Sequence, residues 1–190
     1  MGNEQTKSKS VEFVLLAADE LCPNSIVADL CADAADPTFN LDGTTINLHA
    51  HTGEPIPLAP WKEALDKADA FAITVQYVDV ITMDRLKAIY QTIARNTDKP
   101  FGVMVYRAAG EPDYKLSCPY CGQKLWVRDS DVNKRGRCPN CKKAFNLPSQ
   151  SDHVRDTLEV ESGTNLASVK GGEPDSLKEA FRKILNGSLA

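Results

Sequence analysis

Two pairs of cysteines constrain this chain more than any other feature of its sequence. Cys118 and Cys121 have the spacing C-x2-C, and Cys138 and Cys141 repeat it sixteen residues further on. Two thiolates three residues apart can bind one metal ion through a tight turn, and a second such turn completes a tetrahedron. Spacing alone does not distinguish zinc from iron, but zinc is favoured because no other redox signal is present. A redox-active dithiol is the alternative.

Residues 116–148 read LSCPYCGQKLWVRDSDVNKRGRCPNCKKAFNLP and resemble the zinc-ribbon family, in particular the short CPxCG…CPxC ribbons common in bacterial proteins. The resemblance implies a ribbon unit over residues 115–148, with two zinc-binding turns and a strand at Leu125–Val127. Four protein sulfurs leave no open coordination position, which implies one structural Zn2+ rather than a catalytic ion. A unit this small has almost no core, so its folding is expected to depend on the metal.

The ribbon differs in charge from the chain as a whole. Between Lys115 and Lys143 there are eight Lys or Arg and two acids, a formal +6, which four thiolates and one Zn2+ reduce to about +4. The whole chain carries −4, which excludes a protein that coats nucleic acid along its entire surface. Tyr120 and Trp126 suit base stacking, but they equally suit the ribbon's thin interior. We therefore expect a protein partner first and nucleic acid second.

Composition indicates a globular chain. It has 190 residues, of which 42% are hydrophobic, enough for one domain with a small satellite. No apolar run approaches the roughly 18 residues of a membrane helix, and no signal peptide opens the sequence. We expect a cytoplasmic protein without membrane contact. The opening MGNEQT matches the loose N-myristoylation pattern, although an ordinary N-terminus is favoured.

The two remaining cysteines, Cys22 and Cys31, are predicted to be free structural thiols. Cys22 is predicted in the loop before a helix whose N-terminus stabilises a thiolate, so a nucleophilic role is the alternative. The neighbouring carboxylates of Asp19 and Glu20 oppose ionisation of that thiol, and no histidine is adjacent in sequence.

Outside the ribbon, strand and helix patterns alternate. Residues 1–10 are expected to be a flexible tail, and residues 11–114 and 149–190 an α/β domain with a three-layer, mainly parallel sheet. Asp42–Gly43 predicts a hairpin turn, which adds one antiparallel strand. The predicted strands are Val11–Ala17, Thr38–Leu41, Thr45–His49, Ala70–Val78, Phe101–Tyr106 and Leu166–Val169. The predicted helices are Ser25–Ala35, one around Trp61–Ala68, one around Met83–Ile93, Ser151–Val160, and a last one from Pro174 to Gly187. Two of them have an apolar stripe at helical spacing, namely Met83, Leu86, Ile89, Tyr90 and Ile93 in the third and Leu177, Phe181, Ile184 and Leu185 in the last.

This element order resembles the Ras-like small GTPases of the P-loop NTPase class, with the ribbon inserted between the fifth and sixth strands. That family carries G-x-x-x-x-G-K-[ST] after the first strand, where backbone amides and a lysine surround the phosphates. The corresponding run here is residues 18–25, ADELCPNS, in which only Ser25 fits. Both glycines and the lysine are missing, and Pro23 removes an amide donor.

The other family motifs are matched only in part. Thr52 and Gly53 match part of the third-strand motif, and Ser168-Val169-Lys170 matches the motif after the sixth strand. No guanine-reading carboxylate follows the fifth strand, where residues 106–109 read YRAA. The resemblance therefore implies a pseudo-GTPase, a non-catalytic protein that acts as an interaction or scaffolding module. Residual nucleotide binding is the alternative. The implied degenerate nucleotide site consists of Ser25, Thr52, Gly53, Ser168 and Lys170.

A metal-dependent hydrolase is a further alternative. His49 and His51 are two residues apart on a predicted strand, so both side chains point to one face, and Glu54 is near in sequence. The only other histidine, His153, is predicted on a late helix, so no third histidine completes a site. A surface or partner-contact role for the pair is favoured.

Overall fold

The computed structural model of the chain describes residues 9–17, 21–52, 59–76, 80–110, 113–161 and 163–187. Most of the predicted tail, with its MGNEQT pattern, lies outside these ranges. So do four residues named above: Asp19, Glu20, Gly53 and Glu54.

The described parts of the chain contain ten strands and five α-helices. The strands are β1 Ser10–Ala17, β2 Thr38–Leu41, β3 Thr44–Thr52, β4 Ala70–Val75, β5 Phe101–Arg107, β6 Asp113–Ser117, β7 Lys124–Arg128, β8 Arg135–Arg137, β9 Ala144–Asn146 and β10 Asn165–Lys170. The helices are α1 Leu21–Leu30, α2 Ala59–Lys67, α3 Val80–Asn96, α4 Gln150–Leu158 and α5 Pro174–Asn186. A 3-10 turn, Asp129–Asp131, lies between β7 and β8.

Six strands form one sheet in the order β10-β5-β4-β1-β3-β2. All neighbouring pairs in it are parallel except β2 with β3, the predicted hairpin, whose turn places Asp42 and Gly43 in the left-handed region. The chain is therefore an α/β protein with a mainly parallel sheet, as predicted. Carboxyl ends of parallel strands share one edge, so β1, β3, β4, β5 and β10 all end there.

Helices cover both faces of this sheet. One apolar cluster joins alternate residues of the strands to α1 and α5, and includes Phe13, Ile26 and Phe181. The other joins the opposite residues to α3 and α4, and includes Phe71 and Leu86. The two clusters follow from the strand pattern, because successive side chains of a buried strand point to opposite faces.

The two helices with the clearest apolar periodicity are confirmed. In α3 the predicted stripe is buried as a whole, and it consists of Met83, Leu86, Ile89, Tyr90 and Ile93. In α5 Leu177, Phe181 and Ile184 are buried, and Gly187 directly follows the last helical residue. Gly187 lies against the side chain of Asn165, which would have to move to make room for a Cβ at this position.

Helix α1 differs from its prediction: it spans Leu21–Leu30, not Ser25–Ala35. Pro23 is tolerated because it lies in the first turn, where the missing amide has no helical acceptor. The end of the helix is early because the carboxylate of Asp33 accepts the backbone N–H of Ala35 at 2.8 Å, a local turn that competes with helix.

The ribbon consists of two antiparallel hairpins, β6 with β7 and β8 with β9. Its first strand begins at Asp113, two residues before the predicted boundary, and β7 contains the predicted Leu125–Val127 strand. A small cluster of Tyr114, Leu116 and Val127 is buried between the hairpins. No helix within the described ranges is long and apolar enough to cross a membrane.

Candidate metal centre

The two cysteine turns have the same backbone hydrogen bonds. The N–H of Gly122 donates to the carbonyl of Cys118, and the N–H of Cys118 donates to the carbonyl of Gln123, both at 2.9 Å. The second turn repeats both bonds at 3.0 Å with Lys142, Cys138 and Lys143. Each turn places its second cysteine three residues after the first on the inner side of a tight loop.

The residue after the second cysteine is left-handed in both turns, with φ of 70° at Gly122 and 61° at Lys142. Gly122 adopts this conformation at no steric cost, whereas a residue with a Cβ loses about 1 kcal/mol there. Gly122 marks the left-handed position of the first turn in the sequence. The second turn has Lys142 at that position, so no glycine marks it.

The four sulfurs lie close together. The Sγ of Cys118 is 3.8 Å from that of Cys141, the Sγ of Cys121 is 3.7 Å from that of Cys138, and all four lie within 4.8 Å of one another. A tetrahedral ion with bonds of about 2.3 Å to sulfur separates its ligands by about 3.8 Å, whereas a disulfide needs about 2.0 Å. The arrangement fits a metal ion, and the cysteines are free of disulfides.

Neighbouring groups shift the pKa values of two thiols in this cluster in opposite directions. The backbone N–H of Gln123 lowers the pKa of Cys121 to about 6, and the side-chain amide of Asn140 lies 3.6 Å from the same sulfur. The backbone N–H of Lys143 acts similarly on Cys141, but burial and the sulfur of Cys121 outweigh it and raise the pKa of Cys141 to about 11. A cation between the sulfurs removes this conflict, because metal binding stabilises all four thiolates.

No protein-family model matches this chain. No curated protein matches it in sequence either.

Two aromatic side chains of the ribbon are exposed. Trp126 is 66% exposed and Tyr120 is 53% exposed, although the Tyr120 ring also contacts that of Phe145 edge-on, with 6.4 Å between the ring centres. The Nζ of Lys115 lies 4.6 Å from the centre of the Trp126 ring, and the Nζ of Lys143 lies 4.8 Å from that of Tyr120. Each ring therefore has a cation on one face.

A groove of about 350 Å³ runs between the two hairpins. One side is formed by residues 124–127 of β7, which include Trp126, and the other by Gly136, Arg137 and Pro139. Phe145 and Leu147 complete its apolar lining.

The residues of the predicted nucleotide site are spread along the carboxyl edge of the sheet. Thr52 ends β3, while Ser168 and Lys170 are exposed on β10. Three strands separate β3 from β10, a distance of about 19 Å at the usual strand spacing. Ser25 is half-buried in α1 and forms a side-chain hydrogen bond with Tyr106.

Tyr106 connects three elements at this edge. Its hydroxyl donates to the carboxylate of Asp29 at 2.8 Å, and the same oxygen of Asp29 accepts the backbone N–H of Gly172 at 3.2 Å. A Cβ on Gly171 would collide with the Tyr106 hydroxyl. Burial, and then the hydrogen bond to Asp29, raise the pKa of Tyr106 well above its usual range.

The next residue, Arg107, contacts the ribbon. Two of its nitrogens donate to the two carboxylate oxygens of Asp129, each at 2.8 Å. The bonds hold the pKa of Asp129 below its ordinary value. A cavity of about 300 Å³ lies between this pair and the end of β10, where Lys170 and Gly171 line it. Sequence reasoning missed this pair, because the partners come from separate predicted units.

His49 and His51 do share a face of β3, and they line a cavity of about 540 Å³ next to α2. The Nε2 of His49 lies 2.6 Å from the carboxylate of Glu12, a partner on β1 that sequence reasoning missed. Burial, and then His49, lower the pKa of His51. Among the described residues, the four cysteines are the one group of three or more side chains placed to hold a metal.

The two thiols outside the ribbon lie on or beside α1. Cys22 is 1% exposed in the apolar cluster, and Cys31 is half-buried just after the helix. Burial raises the pKa of Cys31, and Asp36 raises it further. A raised pKa favours the unreactive thiol form.

Proposed function

We propose that this chain is a non-catalytic, GTPase-like protein that binds one structural zinc ion and acts as an interaction or scaffolding module. The observation that carries the proposal is the hydrogen bond from Tyr106 to Asp29, whose carboxylate also accepts the backbone N–H of Gly172. In the Ras-like family, the loops after the fifth and sixth strands read the guanine base. Here the equivalent loops are joined to α1 by a tyrosine side chain, which leaves less room for a base.

The Ras-like assignment is supported by chain order. After β1 and α1, the antiparallel strand β2 pairs with β3. Each later strand of the sheet, β4, β5 and β10, follows a helix, and the inserted ribbon lies between β5 and α4. The sequence at the start of α1 independently supports the loss of phosphate binding, because Pro23 and Asn24 stand in place of the second glycine and the lysine of the family.

Zinc is the proposed ion because four sulfurs at tetrahedral separation are its usual structural ligand set. Cys118, Cys121, Cys138 and Cys141 would hold it, and the ion would link the two hairpins. Such a site leaves no position for a substrate, so its role is to fix the shape of the ribbon.

Titration calorimetry of the zinc-replete protein with GTP, GDP and ATP, each with Mg2+, tests the proposal. We expect no heat of binding up to millimolar nucleotide and one zinc ion per chain by elemental analysis. Micromolar binding of any of the three nucleotides would overturn the non-catalytic assignment, and a chain without zinc would overturn the ribbon assignment.

A second candidate function is nucleic-acid binding by the ribbon, with the α/β domain as the scaffold that orients it. It is favoured by the exposure of Trp126 and Tyr120 and by the eight basic residues around them. A protein partner remains the expectation from sequence, and the salt dependence of binding distinguishes the two. Contacts to phosphates weaken steeply with salt, whereas an apolar protein interface does not.

A further inference from the structure

We infer that the groove between the two ribbon hairpins binds single-stranded nucleic acid, with Trp126 stacking on a base. The inference rests on the second candidate function above and names its surface, its strandedness and the residues that carry it.

The first support is the exposure of Trp126. A tryptophan that leaves 66% of its surface in contact with water gains little from burial within its own chain. It lies on β7 in an antiparallel hairpin, which fixes its backbone and limits the entropy lost when the ring contacts a ligand. The ammonium of Lys115 lies over one face of the ring, so a base would stack on the other face, close to this positive charge.

The second support is the composition of the groove. Its lining is apolar at Phe145 and Leu147, while Lys124 and Arg137 provide cations on opposite sides. A nucleotide also has an apolar and a charged part, since its base is a flat aromatic ring and its phosphate carries the negative charge. The groove therefore matches one nucleotide in both parts, with Trp126 beside the apolar part.

The third support is the separation of charge within the molecule. The ribbon segment from Lys115 to Lys143 has eight basic and two acidic residues, which leaves 14 basic and 24 acidic residues in the rest of the chain. The rest therefore carries a formal −10, which repels a polyanion. A polyanion is attracted to the ribbon alone, so its approach is oriented toward the groove.

The exposed aromatic rings favour a single strand over a duplex. In a duplex each base is already stacked on its neighbours, so a side chain on a hairpin surface reaches only phosphates and groove edges. An unpaired base offers its flat face. An acidic peptide would satisfy the cations but would leave Trp126 without a planar partner, so the observations favour a single strand over an acidic protein.

The test measures the fluorescence anisotropy of a labelled oligothymidylate of fifteen nucleotides as the zinc-replete 190-residue chain is added. We expect binding that weakens with salt and is poorly competed by duplex DNA. Trp126→Leu should weaken it about tenfold or more, while Trp126→Phe retains much of the affinity, since stacking requires a ring. Arg137→Ala should weaken binding and reduce the salt slope by about 0.7. Lys62→Ala, an equal charge change on exposed α2, is the matched control and should change little.

Three results would overturn the inference. The first is the absence of oligothymidylate binding at low salt. The second is equal binding of the oligonucleotide by the Trp126→Leu variant and the parent. The third and last is tighter binding of a polyglutamate peptide than of the oligonucleotide. The last would identify an acidic protein as the partner. Zinc content and nucleotide titration of the same samples separate these outcomes from a failure of the proposed function, because neither depends on Trp126.

Discussion

The hydroxyl of Tyr106 lies at the meeting point of α1, β5 and the loop after β10, and its principal hydrogen bond goes to a carboxylate. Tyr106→Phe removes that bond and leaves Asp29 with the backbone N–H of Gly172. Because a hydrogen bond to a charged group is stronger than one between neutral groups, we expect the free energy of unfolding to fall by about 1–2 kcal/mol. Urea denaturation measures the change. Tyr120→Phe is the matched control, since that ring is exposed and should stay within about 0.5 kcal/mol of the parent. An equal loss in both variants would contradict the role given to Asp29.

Glu12 gives a prediction about pH. Hydrogen bonds from His49 and then Asn47 lower the pKa of Glu12 below its ordinary value of 4.5. Because the carboxylate form is favoured in the folded state, its contribution to stability is present above pH 4.5 and is lost as the pH falls through the folded pKa. Glu12→Gln should therefore lose stability at neutral pH and show a flatter decline below pH 4.5. Thermal unfolding from pH 3 to 7 measures this, with Glu161→Gln, on the segment after α4, as the control. A parallel profile for parent and Glu12→Gln would show that the contact carries no net stability.

The sequence was least informative about which individual side chains contact one another. The cysteine spacing predicted which four sulfurs lie together, because each pair is local and the turn between its members is short. The contacts of Glu12 with His49, Asp29 with Tyr106 and Asp129 with Arg107 join residues far apart in the chain. No periodicity or motif marks such pairs, since they exist only once the sheet and the ribbon have formed.

At the scale of elements, the ion pair of Arg107 and Asp129 joins the end of β5 to the 3-10 turn of the ribbon. The side chain of Arg107 is only 16% exposed and that of Asp129 is 54% exposed, so the pair is partly shielded from water. A double-mutant cycle with Arg107→Ala and Asp129→Ala should give a coupling free energy of about 1 kcal/mol, more than an exposed pair but less than a buried one. The control cycle uses Lys67 and Glu63, an exposed pair on α2, for which we expect a smaller coupling because water screens both charges. Equal coupling in the two cycles would mean that the ribbon is held by other contacts.

Elements differ in how well sequence located them. The apolar stripes of α3 and α5 were read correctly because burial on one face repeats with the helical period over several turns. Helix α1 was placed four residues too late at its start, because Pro23 was taken as part of a loop although the first turn accepts it. Its end was placed too late because the local turn at Asp33 competes with helix and has no periodic signature.

At the scale of the whole molecule, the ribbon and the α/β domain have separate apolar clusters. Replacing Cys118 and Cys121 together by serine removes two ligands, so we expect the ribbon to unfold and zinc content to fall to zero. The α/β domain should keep a cooperative thermal transition by circular dichroism, because its clusters contain none of the four cysteines. Cys31→Ser, outside the ribbon, is the control and should retain the zinc. If the double variant lost the whole transition, the two units would be a single folding unit.

The insertion point of the ribbon also has a consequence for how fast the sheet assembles. Strands β5 and β10 are neighbours in the sheet, yet residues 108–164 lie between them, and more than half of these belong to the ribbon from Asp113 to Asn146. If the ribbon binds zinc as proposed, a ribbon folded around the ion would close most of that loop before the strands meet. Since each doubling of a flexible loop costs about 0.6 kcal/mol, refolding with zinc should be about threefold faster than refolding with a chelator, as stopped-flow fluorescence would measure. The ion would then act on the assembly of a sheet that it never touches.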